Sequence, residues 1–408
     1  MTRCSVMLLA AVPLALSCTV NGFEVSGSTT LPARDTAPAT LSAYELPPGL
    51  IKNTSKGNPT QLHGILGIPR GPGPHPVVVV LHGSHPTCAW PGKTDAVARD
   101  AVRAPWPLVC GRPGAEYDPE KYGPDYVRHN AGLSYFVDAL SRKGFAAVSI
   151  DVKSAEAWYT GEPSPVKGYT QLIDTHLKLL ADLNEGTGHG LNLEGAKGRI
   201  DTSRVGLVGH SRAGGYVLNS TAGKRPGLFA TVAVEPAEEV DKAPHTVPVL
   251  NLRGACDEDT GPNAGLDTIK ALAKSGTTDV VADVRLPATG HAMLNTNLSS
   301  VNAKGGVGDC SAAQVARPAE ARDQAAQLTA SFMAQALRKA TTYTLPALAG
   351  PPPAGRNLSK RGPALRFKAS SPQSYADPRR IPTTTSEERL LPPVPKGLKV
   401  AKGGEPEA

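Results

Sequence analysis

The run Val205-Gly-Leu-Val-Gly209-His210-Ser211-Arg212-Ala213-Gly214-Gly215 constrains the fold of this chain more than any other. Its first residues read as a buried parallel strand. They empty into a small-residue turn carrying one serine, and a helix-compatible stretch follows. That is the strand–turn–helix setting of a nucleophile elbow, where the turn is too sharp for bulky side chains around the serine. The pattern is Gly-x-Ser-x-Gly with Ala213 in the last place, where a methyl is tolerable. The competing reading is an ordinary strand-to-helix turn whose serine caps the helix.

An elbow serine needs an acid and then a histidine, each after a later strand. Val247-Pro-Val-Leu-Asn-Leu252 reads as a strand and ends in Arg253-Gly254-Ala255-Cys256-Asp257. An acid just past a glycine turn suits the group that orients an imidazole. Val280 to Leu286 is the next strand, and it leads into Pro287-Ala-Thr-Gly290-His291. His291 thus sits on a loop from which a general base reaches the serine. A rival acid is Glu235, at the end of the strand Leu228 to Val234. Asp257 is preferred.

A donor pair for a developing oxyanion can be placed as well. Pro76-Val-Val-Val-Val80-Leu81 is a continuous apolar run, typical of a strand buried on both faces, and it ends in His82-Gly83-Ser84-His85. The backbone N–H of Ser84 and that of Arg212, next to the nucleophile, are the expected oxyanion donors. His82 and His85 read as turn and packing residues rather than metal ligands, because no second cluster with ligand spacing accompanies them. No metal and no other cofactor is expected.

Together, His82-Gly83, Gly209-His-Ser-Arg-Ala213, Gly254-x-x-Asp257 and Gly290-His291 resemble an α/β-hydrolase. More narrowly, the chain is similar to secreted bacterial hydrolases related to dienelactone hydrolases, chlorophyllases and cutinase-type polyester hydrolases. Cys256-Asp-Glu-Asp259 and Gly290-His-Ala-Met-Leu-Asn295-Thr296 resemble a secreted subgroup with a Cys-Asp-x-Asp acid turn. The resemblance implies a serine hydrolase with Ser211 as nucleophile, His291 as base and Asp257 as acid. It implies an α/β fold with a mostly parallel central sheet and helices on both faces. Only about a dozen residues separate Glu235 from the next strand, so no large cap domain is expected and the site should be open.

The N-terminus has a short basic start and an apolar core from Val6 to Leu16, the composition of a secretory signal over residues 1–18. Leu14-Ala-Leu-Ser-Cys18 resembles a bacterial lipobox, which makes Cys18 a candidate lipid attachment point, with ordinary cleavage a few residues on as the alternative. Residues 19–44 read as a linker, 45–340 as one α/β domain, and 341–408 as a disordered tail. That tail holds 12 of the 38 prolines. Its eleven basic and five acidic residues supply six of the chain's net charge of +7, which leaves the domain near neutral. Nucleic acid is not an expected partner, and a secreted or envelope-anchored monomer is.

After removal of a signal, four cysteines remain, which allow three disulfide connectivities. The expected pairs are Cys88–Cys110, closing the long loop after the oxyanion strand, and Cys256–Cys310, tying the acid turn to the segment beyond His291. Trp90, Trp106, Trp158 and Tyr159 leave the sheet's carboxyl edge on two loops, where ligands bind in open α/β folds. They are candidates for lining a cleft, and loop-packing anchors otherwise. The expectation is an exported carboxylic ester hydrolase, with a lipid or polymeric ester among the substrates to test. A peptidase or acyltransferase uses the same machinery, and a catalytically silent protein binding an envelope ligand is the alternative of a different kind.

Overall fold

The computed structural model describes residues 40–46, 62–85, 128–153, 166–188, 191, 193, 195–237, 246–257, 259–275, 280–298, 310, 317–340, 343–346 and 383–385, all within one compact unit, Asp35–Ala408. The expectations for Cys18, Cys88, Cys110, Trp90, Trp106, Trp158 and Tyr159 lie outside these residues. Among the described residues, no helix is long and apolar enough to cross a membrane.

The strands are β1 (Thr40–Leu46), β2 (Leu62–Ile68), β3 (His75–Leu81), β4 (Ala146–Ile150), β5 (Ile200–His210), β6 (Leu228–Val234), β7 (Val249–Gly254), β8 (Val281–Leu286) and β9 (Thr383–Thr385). They form one sheet in the order β8-β7-β6-β5-β3-β4-β2-β1-β9. β3 through β8 are mutually parallel wherever they pair, while β2 runs antiparallel to β4 and to β1.

Val77 to Leu81 explain why β3 lies near the middle of the sheet. All five are fully buried, and their side chains alternate between two cores as the pleat requires. Val77, Val79 and Leu81 join one core with helices α2 (Val166–Glu185), α3 (Arg212–Val217), α4 (Ser220–Gly223) and α5 (Leu266–Ser275). Val78 and Val80 join the other, with α1 (Ser134–Ser141) and α6 (Pro318–Leu337). The result is a three-layer α/β arrangement with helices on both faces.

The expected domain limits both shift outward. β1 starts at Thr40, inside the stretch read as linker, because it pairs along its whole length with β2 and buries Tyr44 and Leu46. At the other end Leu345 is buried, and Gln335 exchanges hydrogen bonds with the backbone of Thr344. Within the segment expected to be disordered, Thr383–Thr385 pairs parallel with β1 and covers its open edge.

Strand order reverses at β3. The chain leaves β3 for β4 on one side and returns to place β5 on the other. Ligands of open α/β sheets bind outside the carboxyl ends of strands at such a switch point. The residues that follow β3 and β5 are His82–His85 and Ser211.

Candidate active site

Ser211 stands between β5 and α3 with φ 59° and ψ −125°, a conformation that side-chain-bearing residues rarely adopt. Holding it costs roughly 1–3 kcal/mol and requires surroundings that over-determine it. Three backbone hydrogen bonds do so: Ser211 N donates to Val234 O, and Ser211 O accepts from Gly215 N and Ala237 N. The close turn also explains its glycines. A Cβ on Gly209 would lie 2.1 Å from Ala213 O, and one on Gly83 would lie 2.3 Å from Ser211 Cβ. Ala213 fits fully buried where the motif's last glycine would stand.

His291 opens a 3-10 turn, His291–Leu294, on the segment that follows β8. Asn295 and Thr296 fasten that turn to the segment before α1, through Asn295 Nδ2 to His129 O at 2.9 Å and Thr296 N to Gly132 O at 3.1 Å. The His291 ring donates from Nδ1 to Asp257 Oδ2 at 3.1 Å. Asp257 is held in turn by Thr260 Oγ1 on the same oxygen, and by the N–H groups of Asp259 and Thr260 on the other. These donors and the His291 charge hold Asp257 below the usual carboxylate range, although burial alone would raise it. For His291, burial favours the neutral ring, but the Asp257 hydrogen bond and the surrounding carboxylates outweigh it and raise its pKa.

Glu235 lies on the same side of the imidazole, its Oε2 3.6 Å from His291 Nδ1. It is fully buried, neither carboxylate oxygen has a hydrogen-bond partner, and burial pushes its pKa up to about 8. Burial thus favours the protonated form of Glu235, whereas the hydrogen bonds to Asp257 favour its ionised form. Both acids proposed from the sequence border the imidazole.

Two backbone hydrogen bonds join the acid turn to the base loop, Ala255 N to Leu286 O and Cys256 N to Thr289 O. Cys256 is also disulfide-bonded to Cys310, the expected pairing. Ser84 follows β3 and Arg212 opens α3, so both border the Ser211 turn. The expected open site differs from the burial observed. Ser211 is 5% and His291 3% exposed, and Gly83 lies directly against Ser211. No hydrogen bond joins Ser211 Oγ to His291 Nε2, and Asp259 Oδ2 lies 3.3 Å from that nitrogen.

Sequence reasoning missed a histidine cluster. His85, His210 and His291 converge, with ring centroids 5.4 Å apart for His85–His210, 6.0 Å for His85–His291 and 4.6 Å for His210–His291. His129 packs against His82 and His85. His82 keeps the structural part expected of it: its Nδ1 donates to Gly83 O, and its Nε2 accepts the Val152 N–H. His85 does more than fill a turn, since it faces two other histidines. Chain spacing could not show this, because the three residues belong to the ends of three different strands or the segments after them. The one signal was His210 beside Ser211, to which no role was given.

No protein-family model matches the chain, and no curated protein does.

Proposed function

We propose that this protein is an exported serine hydrolase of the α/β-hydrolase fold, acting on carboxylic esters through an acyl-enzyme. The observation that carries this reading is the hydrogen bond from His291 to the ionised Asp257, set beside a serine in a strained strand-to-helix turn at the sheet's switch point. In the reaction, His291 Nε2 takes the Ser211 Oγ proton as the oxygen attacks the ester carbonyl. The backbone N–H groups of Ser84 and Arg212 receive the oxyanion. Collapse expels the alcohol, which takes the proton back from His291. Water then attacks the acyl-serine with the same base, and the acid leaves. Asp257 keeps the proton of the imidazole on Nδ1, so that Nε2 is the basic nitrogen throughout. The signal-like N-terminus supports export, and Cys18 would supply a lipid anchor at the envelope.

A panel of p-nitrophenyl esters of increasing acyl length, with a polyester film beside it, tests substrate class. Labelling by a fluorophosphonate, with the adduct located by peptide mass, tests the nucleophile. A single adduct on Ser211 is the expected result, and an adduct on another residue would overturn the assignment.

A further inference from the structure

We propose that His85, His210 and His291 form a binding site for a divalent transition metal of the zinc type, and that the metal competes with Ser211 for His291. The second clause rests on the hydrolase reading above; the first does not. One ring nitrogen from each of the three histidines lies within 4.8 Å of the other two. All three rings are buried. His85 Nε2 and His210 Nδ1 make no hydrogen bond, while His210 Nε2 lies 3.5 Å from Glu235 Oε2 and His291 Nε2 3.3 Å from Asp259 Oδ2, neither pair forming a hydrogen bond. Buried polar atoms are almost always satisfied, so buried imidazole nitrogens without a hydrogen bond in one place call for an explanation. A cation that accepts their lone pairs supplies one.

The chemistry of the donors selects the ion. Imidazole suits zinc, copper and nickel, whereas calcium and magnesium take oxygen ligands. The Asp257 hydrogen bond at His291 Nδ1 orients that ring as metal-bound histidines are commonly oriented, leaving Nε2 with its lone pair outward. The same bond that prepares Nε2 as a base prepares it as a ligand. A tetrahedral zinc site with Zn–N bonds near 2.0 Å would bring the nitrogens to about 3.3 Å from one another.

The site also lies against the nucleophile. A Cβ on Gly83 would sit 2.8 Å from Ser211 Oγ and 2.9 Å from His85 Nε2, so the serine and the first ligand flank the same glycine. A metal on His291 Nε2 removes the lone pair that would take the serine proton. Zinc is then a reversible inhibitor, relieved by a chelator.

The test is a Co2+ titration of the full chain, read by visible absorption. One equivalent giving a tetrahedral spectrum, displaced by Zn2+, is expected. His85→Gln and His210→Gln should each weaken binding at least tenfold, with folding checked by thermal melting without metal. If either variant fails to fold, X-ray absorption of the zinc-loaded wild-type chain replaces it, and three imidazole ligands at about 2.0 Å are expected. Absence of stoichiometric binding, affinity unchanged in the variants, or fewer than two imidazoles on the metal would each overturn the site. Ester turnover under Zn2+, with each protein normalised to its own metal-free rate, tests the competition. Binding with unaltered turnover overturns the inhibition, whereas binding by a chain with no turnover at all counts against the hydrolase reading and leaves the metal site standing.

Discussion

The Asp257 carboxylate accepts the His291 Nδ1–H at 3.1 Å while making three further hydrogen bonds within its own turn. Glu235 reaches the same nitrogen only at 3.6 Å and carries no hydrogen bond on either oxygen. A hydrogen-bonded carboxylate held towards its ionised form is a stronger partner for the imidazole Nδ1–H than one that burial pushes towards protonation.

The two acids should therefore separate in kinetics. Asp257→Asn is expected to lower kcat/KM for a short p-nitrophenyl ester by about 10³–10⁴-fold, the usual scale for losing the acid of such a triad. Glu235→Gln keeps the size of the side chain and the neutral form that burial favours, and is expected to stay within about tenfold of wild type. The reverse ranking would move the orienting role to Glu235.

The Cys256–Cys310 disulfide spans a sequence separation of 54 residues, so its loss should destabilise the fold by about 2–4 kcal/mol. The acid turn is nonetheless held to the base loop by Cys256 N to Thr289 O and Ala255 N to Leu286 O. A Cys256→Ser/Cys310→Ser chain should thus melt at a clearly lower temperature and keep turnover at 25 °C within about tenfold. Collapse of turnover with unchanged melting would show that the disulfide, rather than the backbone pair, positions Asp257.

Acid should destabilise the protein partly through a residue remote from the site. His176 shares a 2.6 Å hydrogen bond with Tyr44, both are fully buried, and burial lowers the His176 pKa to about 3. The unfolded chain binds this proton near the ordinary value of 6.5, so below that pH the unfolded state holds more protons than the folded one. Stability is present above pH 6.5 and is lost as the pH falls towards 3. Between pH 7 and 5 this one group should account for about 2 kcal/mol of the loss. Urea melts of wild type and of Tyr44→Phe/His176→Leu at the two pH values check it. Equal losses in the two proteins would mean that His176 is not the group responsible.

Much of this fold was legible in the sequence because its signals are local. The valine run of β3, the small residues around Ser211, and the turns after β7 and β8 each declare themselves within a dozen residues. What escaped is set by partners far along the chain. β1 has one strongly apolar flank and becomes a strand through β2. Thr383–Thr385 pairs with β1 across more than three hundred residues. His85, His210 and His291 look unrelated until β3 and β5 pair side by side and the turn after β8, at the edge of the sheet, reaches back to them. The unsatisfied state of Glu235 depends on the walls around it, and no run of letters encodes that.

The most direct test of the central claim is kcat/KM of Ser211→Ala against wild type on a short p-nitrophenyl ester, with both chains matched in thermal melting. Triad members act as a unit, so removing the nucleophile should lower the value by about 10⁴–10⁶-fold with the fold intact. A Ser211→Ala chain within tenfold of wild type would contradict the assignment of Ser211, and with it the mechanism built on His291 and Asp257.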